Sequence, residues 1–197
     1  MITCDKTCMD VEIIKYFQNV KDIQKDAVRL ILISESFPKN PDDYFDGSND
    51  PLFIKNTNYL FKQNGCDYST YDDYLNNGVY LTTAIKCVKK NYLVSAKTIE
   101  MCSYCLEKEL EDFPHMQVLL LMGDFAIKAV NYIWKRKYNV KPIPNGSTYK
   151  IRNAEYKDRG IYFIPSYTQT GNGFGIEKGK IEMMKEDVGK ALRLLTN

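Results

Sequence analysis

The feature that most constrains the fold is a six-residue apolar run at 28–33, with the sequence Val-Arg-Leu-Ile-Leu-Ile. The run is too short for a helix and too apolar for a strand with one exposed face. It therefore predicts a central strand of a parallel sheet, buried on both faces. The chain continues as Ser34-Glu35-Ser36-Phe37-Pro38, and the proline prevents further ladder pairing. Ligands of open α/β sheets bind beyond the carboxyl ends of the strands, which makes Glu35 a candidate site residue. The alternative is a serine that caps a turn beside a merely solvated Glu35.

Three further apolar runs predict strands at 79–85, 117–122 and 160–164, and helical patterns separate the four strands. This alternation indicates an α/β fold, a three-layer α/β/α domain with a central, mostly parallel four-stranded sheet. We expect one domain over residues 1–197. Its first part, 1–27, is predicted to be a helical segment in which Asp10 caps the helix.

Composition excludes several classes of protein. The 27 basic and 25 acidic residues nearly balance, so the chain is not a strongly basic nucleic-acid binder, although a local basic patch remains open. The sequence contains no run of about 18 apolar residues, so we expect no membrane span. The N-terminus lacks the pattern of a signal peptide. We therefore expect a cytoplasmic protein whose six cysteines are thiols or metal ligands. The single histidine, His115, argues against a His-based triad or a multi-histidine zinc site.

Five segments together resemble a known set of motifs. They are Ser34-Glu35-Ser36-Phe37-Pro38 against Gly-Glu-Ala-Pro-Gly, 80–87 against Tyr-Ile-Thr-Asn-Val-Val-Lys-Cys, the helical segment 98–110 with its cysteine, the strand-turn-helix segment 119–130, and Ile164-Pro165-Ser166 against His-Pro-Ser. In this order they resemble the uracil-DNA glycosylase superfamily, most nearly its iron–sulfur branch. The Gly-Phe-Gly loop that follows resembles the segment with which that family penetrates DNA.

The resemblance implies an enzyme that flips a base out of DNA and hydrolyses its N-glycosidic bond with water. Glu35 would position or activate that water, and Ser166 would belong to the second catalytic motif. The residues that would contact the flipped base are Ser36, Tyr44, Phe45 and Thr83, the two aromatic residues by stacking. The residues that would contact the DNA are Lys86, Lys89, Asn172 and Phe174.

Three departures from the motifs alter this expectation. Ile164 replaces the histidine that would donate a hydrogen bond to the departing base, and its side chain has no donor. Thr83 replaces the asparagine that reads the edge of uracil, so one hydroxyl stands for an amide's paired donor and acceptor. The first motif keeps Glu35 and loses both glycines. Uracil is the first candidate substrate, with altered base-reading residues.

Four cysteines match the ligand positions of the iron–sulfur branch only in part. Cys87 and Cys102 lie where two ligands are expected, and Cys4 and Cys8 precede the first strand as C-x3-C where C-x2-C is usual. Four thiolates would suit a [4Fe–4S] cluster. The alternative is that Cys102, on an apolar helix stripe, is an ordinary core residue.

Three functions remain open at this point. The leading hypothesis is a DNA glycosylase that acts on a deaminated or damaged base, with DNA as its partner. The second is a catalytically inactive nucleic-acid-binding protein of the same fold, which the missing histidine favours. The third is a hydrolase of free nucleosides or nucleotides, which needs no basic rim. We expect a monomer in each case.

Overall fold

The computed structural model of the chain describes residues 8–12, 23–47, 50–170 and 174–195. These residues contain six strands and six α-helices. The strands are β1 Val11–Glu12, β2 Leu30–Phe37, β3 Val79–Lys89, β4 Val118–Met122, β5 Tyr156–Asp158 and β6 Ile161–Ser166. The helices are α1 Leu52–Lys62, α2 Tyr71–Asn76, α3 Ala96–Leu110, α4 Asp124–Tyr138, α5 Thr148–Ile151 and α6 Lys178–Arg193. No helix in the described ranges is long and apolar enough to cross a membrane.

The strands form one mixed sheet in the order β1-β3-β2-β4-β6-β5. The four inner strands are the four predicted ones, and they pair in parallel. The prediction of a four-stranded sheet is nevertheless incomplete, because β1 and β5 add antiparallel edges. Edge strands of two and three residues are too short to show a hydrophobic alternation.

Both faces of the sheet are covered by helices, as expected for a buried parallel sheet. Along β2, Ile31 and Ile33 point into the core shared with α3 and α4, whereas Leu30 and Leu32 point into the core shared with α1 and α6. This period of two explains why all four residues from Leu30 to Ile33 are apolar: successive residues meet different helical layers.

The order of the inner strands creates a crevice at one edge of the sheet. β2 lies between β3 and β4: the connection that leaves β2 runs to β3 on one side, and the connection that leaves β4 runs to the β5–β6 side. Ligand sites in open α/β sheets lie at such a switch point, outside the carboxyl ends of the two strands. Here those ends carry Glu35 on β2 and Gly123 directly after β4.

The predicted N-terminal helix is wrong at its start, where Val11 and Glu12 form an edge strand, and only a short 3-10 helix, Lys25–Ala27, lies in the described part of the segment. Asp10 instead supports the N-cap of α3: its carboxylate accepts hydrogen bonds from the N–H of the N-cap residue Ser95 at 2.6 Å and from the Thr98 hydroxyl. Those hydrogen bonds keep the pKa of Asp10 low against the opposing effect of burial. Residues 1–7 and 13–22 of the predicted segment lie outside the described residues.

Candidate functional site

A cavity of about 590 Å³ opens at the carboxyl ends of β2 and β3. Its size falls within the roughly 300–1,000 Å³ typical of small-molecule sites. The wall from the end of β2 consists of Glu35, Ser36, Phe37 and Pro38, and β3 adds Val88 and Lys89. The opposite wall includes Tyr167, Thr168, Thr170 and Phe174 together with the first turns of α6.

Glu35 lies on this wall with 18% of its side chain exposed. Its Oε2 is 3.6 Å from Lys89 Nζ, and its carboxylate accepts a hydrogen bond from the backbone N–H of Phe125. Phe125 is in the first turn of α4, where the helix dipole favours a negative charge. The carboxylate is thus held between the end of one strand and the start of one helix.

Gly123 makes room for this placement. Its φ of 107° lies in the region that glycine adopts far more easily than other residues. A Cβ added there would lie 2.6 Å from Glu35 Cγ and 2.7 Å from its Oε1. The glycine therefore allows the Glu35 side chain to pass over the end of β4.

The surroundings of Glu35 shift its pKa in opposite directions. Burial raises its pKa, the Lys89 ammonium and the Phe125 N–H lower it, and the nearby Asp124 carboxylate raises it further. The net result is a pKa above the ordinary glutamate value of 4.5. A carboxylate with a raised pKa accepts a proton more readily near neutral pH, as a general base must.

Lys89 contacts more than the carboxylate. Its Nζ lies 5.1 Å from the ring centre of Phe125 and 5.8 Å from that of Tyr92, distances typical of cation–π contacts. The lysine is positioned by an irregularity in the pairing of β2 with β3, where Ser36 pairs with Ile85 but Phe37 pairs with Val88. Such bulges redirect side chains beside binding sites.

Two of the predicted base contacts lie in the core. Tyr44 and Phe45 are almost completely buried, and Tyr44 stacks on Phe37 with ring centres 4.6 Å apart. Both also pack against Phe53 of α1. Neither lines the cavity. The expectation that one of them presents a ring face there is therefore not met, because the loop that carries them folds back onto the helical layer.

Two further predicted site residues are also inaccessible from the cavity. Thr83 is fully buried within β3 and its hydroxyl donates to the Ile85 carbonyl at 3.1 Å. Ser166 is fully buried at the end of β6, and its Oγ donates to Oδ2 of Asp187 at 2.7 Å. That carboxylate also binds Arg152, so Ser166 belongs to a network that ties β6 to α6. The structure therefore brings only Glu35 and Ser36 of these predicted residues to the cavity.

Of the predicted DNA contacts, some line the cavity and others do not. Lys89 and Phe174 line the cavity, and Phe174 also meets Tyr59 edge-on at 6.0 Å. The Lys86 ammonium instead binds Glu109 and the Thr82 hydroxyl on the α3 side of the sheet. Asn172 lies outside the described residues.

Aromatic side chains outside the predicted site residues do line the cavity. They are Phe37, Phe53, Tyr92 and Tyr167. Two of them could have been predicted from the sequence, because Phe37 and Tyr167 directly follow the predicted site residues Ser36 and Ser166. Aromatic residues therefore line the cavity beside Glu35 without Tyr44 and Phe45.

Comparison with known proteins gives a partial match. The chain is similar to a type-5 uracil-DNA glycosylase from Thermus thermophilus. The two are 25% identical over 100 residues, which are 51% of this chain and 46% of the relative, so the chain matches a little under half of that protein's length. No model of a known protein family matches the chain. The similarity, together with the mixed α/β fold, suggests the uracil-DNA glycosylase superfamily.

The predicted cluster ligands are only partly described. Cys87 and Cys102 are buried, Cys8 is half-buried, and Cys4 lies outside the described residues. Burial raises the pKa of Cys102 to about 12, and the neighbouring thiols of Cys87, Cys8 and Cys105 raise it too. Three of the predicted thiols are thus near one another. Within the described ranges, however, no group of three or more such side chains is arranged to hold a metal ion.

Proposed function

We propose that the protein is a DNA glycosylase-like hydrolase that binds DNA and cleaves the N-glycosidic bond of a deaminated or damaged base, with uracil as the first candidate. The observation that carries this proposal is the Glu35 carboxylate on the cavity wall, held by Lys89 and by the start of α4. The similarity to a uracil-DNA glycosylase supports the same reaction class.

Glu35 would act as a general base toward water. It would take a proton from the water as the water oxygen bonds to C1′ of the sugar. The bond between C1′ and the base nitrogen breaks, and the base leaves with the bonding electron pair. The raised pKa of Glu35 suits this proton transfer. The base then takes up a proton from solvent, and no other reactant is needed.

Cavity aromatics would hold the flipped base. Phe37 lies directly beyond Ser36 on β2, and Tyr167 lies on the opposite wall. Ring faces stack on every base, so this contact alone gives little selectivity. The Ser36 hydroxyl can donate and accept hydrogen bonds, and it would read the base edge in place of an amide. Altered base-reading residues therefore fit a substrate range that differs from that of an amide-bearing site.

A second function, DNA binding without catalysis, is favoured by one observation. Ile164 occupies the position of the motif histidine and is 1% exposed, packed in the core. Neither its side chain nor its position can stabilise a departing base. Loss of one preorganised donor typically costs about 10²–10³ in rate. A base whose anion leaves easily would tolerate that loss, and a poorer leaving group would not.

The iron–sulfur cluster is a separate part of the proposal. As the resemblance implies, Cys4, Cys8, Cys87 and Cys102 would supply the four thiolates that [4Fe–4S] takes, although the described thiols among them are not arranged to hold a metal ion. No step of the hydrolysis passes through it. Anaerobically purified protein should contain iron and sulfide and absorb broadly near 400 nm, as is general for such clusters, and Cys87→Ala should remove that absorbance. Colourless, iron-free protein purified without oxygen would contradict this part alone.

One experiment separates the three candidate functions. Purified protein is incubated with duplex and single-stranded oligonucleotides that carry uracil, hypoxanthine, xanthine or an alkylated base, and with the free nucleosides. The proposal predicts abasic sites in at least one oligonucleotide and no release from nucleosides. DNA binding without abasic sites would favour the inactive binder, and release from nucleosides alone would favour the nucleoside hydrolase.

A further inference from the structure

Two large apolar side chains are exposed side by side at the mouth of the cavity. Tyr92 and Leu93, in the loop between β3 and α3, are 88% and 73% exposed, and Tyr92 also lines the cavity. Single exposed apolar residues are common on protein surfaces and need no explanation. A pair beside the candidate site is a different case, because Tyr92 lines the cavity and the exposed Leu93 directly follows it in the chain.

The loop that carries the pair is held at both ends by Asp10. At one end the backbone N–H of Lys90 donates to the Asp10 carbonyl at 3.1 Å. At the other end the Ser95 N–H donates to the Asp10 carboxylate at 2.6 Å. Val94, next to the pair, is buried in the core. Tyr92 and Leu93 therefore project from a fixed loop, and a pre-ordered loop loses less entropy when it binds.

Lysines surround this mouth. Lys89 and Lys90 directly precede the loop, and Lys39 and Lys180 lie on the wall of the cavity. Lys180 is paired with Glu177 at 2.7 Å, and Lys89 lies beside Glu35. Lysine contacts to phosphates fix the position of a protein on a nucleic acid without reading its sequence. Apolar tips between lysines match a DNA helix, which offers phosphates outside and stacked bases inside.

We propose that Tyr92 and Leu93 form a wedge that enters duplex DNA where the target base leaves the stack. This inference rests on the proposed function and names the part of the chain that opens the duplex. Extruding a base costs a few kcal/mol, and inserted apolar side chains replace the lost stacking. The wedge is assigned to this loop and not to Phe174, because the Phe174 ring is half-buried against Tyr59, whereas Tyr92 and Leu93 are exposed.

The wedge has a specific kinetic consequence. Only a duplex has a closed stack to open, so a single-stranded substrate needs no wedge. Removing both side chains should slow base release from the duplex by about tenfold or more, corresponding to a loss of at least about 1.4 kcal/mol. Release from the single strand should fall by a clearly smaller factor, because Glu35 remains and only the cavity contact of Tyr92 is lost there.

The test compares the double variant Tyr92→Ala/Leu93→Ala with Tyr149→Ala, which removes a tyrosine that is 66% exposed in α5 and does not line the cavity. A conservative variant, Leu93→Phe, should keep most of the duplex rate because it keeps an apolar tip. All variants are assayed on the same damaged sequence as duplex and as single strand. In parallel, 2-aminopurine beside the damaged position reports unstacking through its fluorescence.

Each result decides the proposal. A loss that is clearly larger on the duplex than on the single strand, with weaker 2-aminopurine fluorescence, supports the wedge. An equal loss on both substrates, or no loss on either, overturns it. If the unaltered protein releases no base from any strand, the proposed function fails, and the fluorescence alone judges the wedge. A rise with the unaltered protein that is absent in the double variant supports it, and equal signals from the two proteins overturn it.

Discussion

Two glutamate–lysine pairs lie along β3, and they differ in how fully each carboxylate is used. Glu109 of α3 accepts hydrogen bonds from the hydroxyls of Tyr80 at 2.6 Å and Thr82 at 2.8 Å, and it also binds the Lys86 ammonium. This carboxylate is buried between the helix and the sheet. Its acceptor sites face donors within the protein, so the pair holds the core together.

The second pair, Glu35 with Lys89, is more open. The two charged groups are 3.6 Å apart, beyond the usual hydrogen-bond distance, and the Phe125 N–H donates to the carboxylate. Glu35 also lines the cavity, and an ionised carboxylate offers about four lone-pair sites. The comparison teaches that a buried carboxylate beside a lysine is not in itself a functional sign. Remaining acceptor capacity that faces a cavity distinguishes Glu35.

The largest effect expected from this comparison is on stability. Glu109→Ala should lower the free energy of unfolding by about 2–4 kcal/mol, because it removes the buried carboxylate to which Tyr80, Thr82 and Lys86 all donate. Denaturant unfolding measures the change. Glu111→Ala is the control: it breaks the exposed pair with Lys137, which should cost less than about 1 kcal/mol. Equal losses of stability in the two variants would contradict the role of the Glu109 carboxylate in holding the core together.

The next effect tests how Glu35 is positioned. Gly123→Ala should slow base release about tenfold or more, because the new Cβ displaces the Glu35 side chain. Gly160→Ala is a matched control, with a φ of 81° and nothing within 4 Å of the added Cβ. Both variants bear the cost of a positive φ, of order 1 kcal/mol, so Gly160→Ala shows how much of any effect comes from backbone strain alone. A similar base-release rate in both variants would show that Gly123 does not position Glu35.

A smaller effect concerns pH. Lys89 lowers the pKa of Glu35, so Lys89→Met should raise that pKa further. A general base acts when deprotonated, and the acid limb of the profile of kcat/KM should therefore move to higher pH. Lys86→Met removes a lysine of the same strand that binds Glu109, and it should leave the limb in place. If the acid limb stays in place in both variants, or moves to lower pH in Lys89→Met, the assignment of Glu35 as the general base is contradicted.

The smallest effect is on stability at neutral pH. Because burial raises the pKa of Glu35, the folded state favours its protonated form. The resulting stabilisation is present below the ordinary pKa of 4.5 and is lost as the pH rises through the raised value. At neutral pH, the free energy of unfolding of the Glu35→Gln variant should therefore be no lower than that of the unaltered protein. A clear destabilisation there would mean that the ionised carboxylate is a structural element like that of Glu109.

The inner sheet could be predicted because each inner strand is a continuous apolar run that meets two helical layers. Glu35 could be predicted because it directly follows such a run. Thr83 was misplaced for a physical reason: β3 continues to Lys89 through an irregularity, so position 83 lies inside the strand and not at its end. The core position of Tyr44 depends on how its loop folds back, and Asp10 supports the N-cap of a helix 85 residues away from it in sequence. Such long-range contacts leave no local pattern.

The most direct test of the central claim compares Glu35→Gln with the unaltered protein on one damaged oligonucleotide. Glutamine keeps the size of the side chain and removes the base, so release should fall by about 10²–10⁴ while the dissociation constant for the DNA stays within about threefold. Single-turnover release of the base and fluorescence anisotropy of the bound DNA measure the two quantities. Unchanged release in Glu35→Gln would contradict the claim that this carboxylate performs the chemistry.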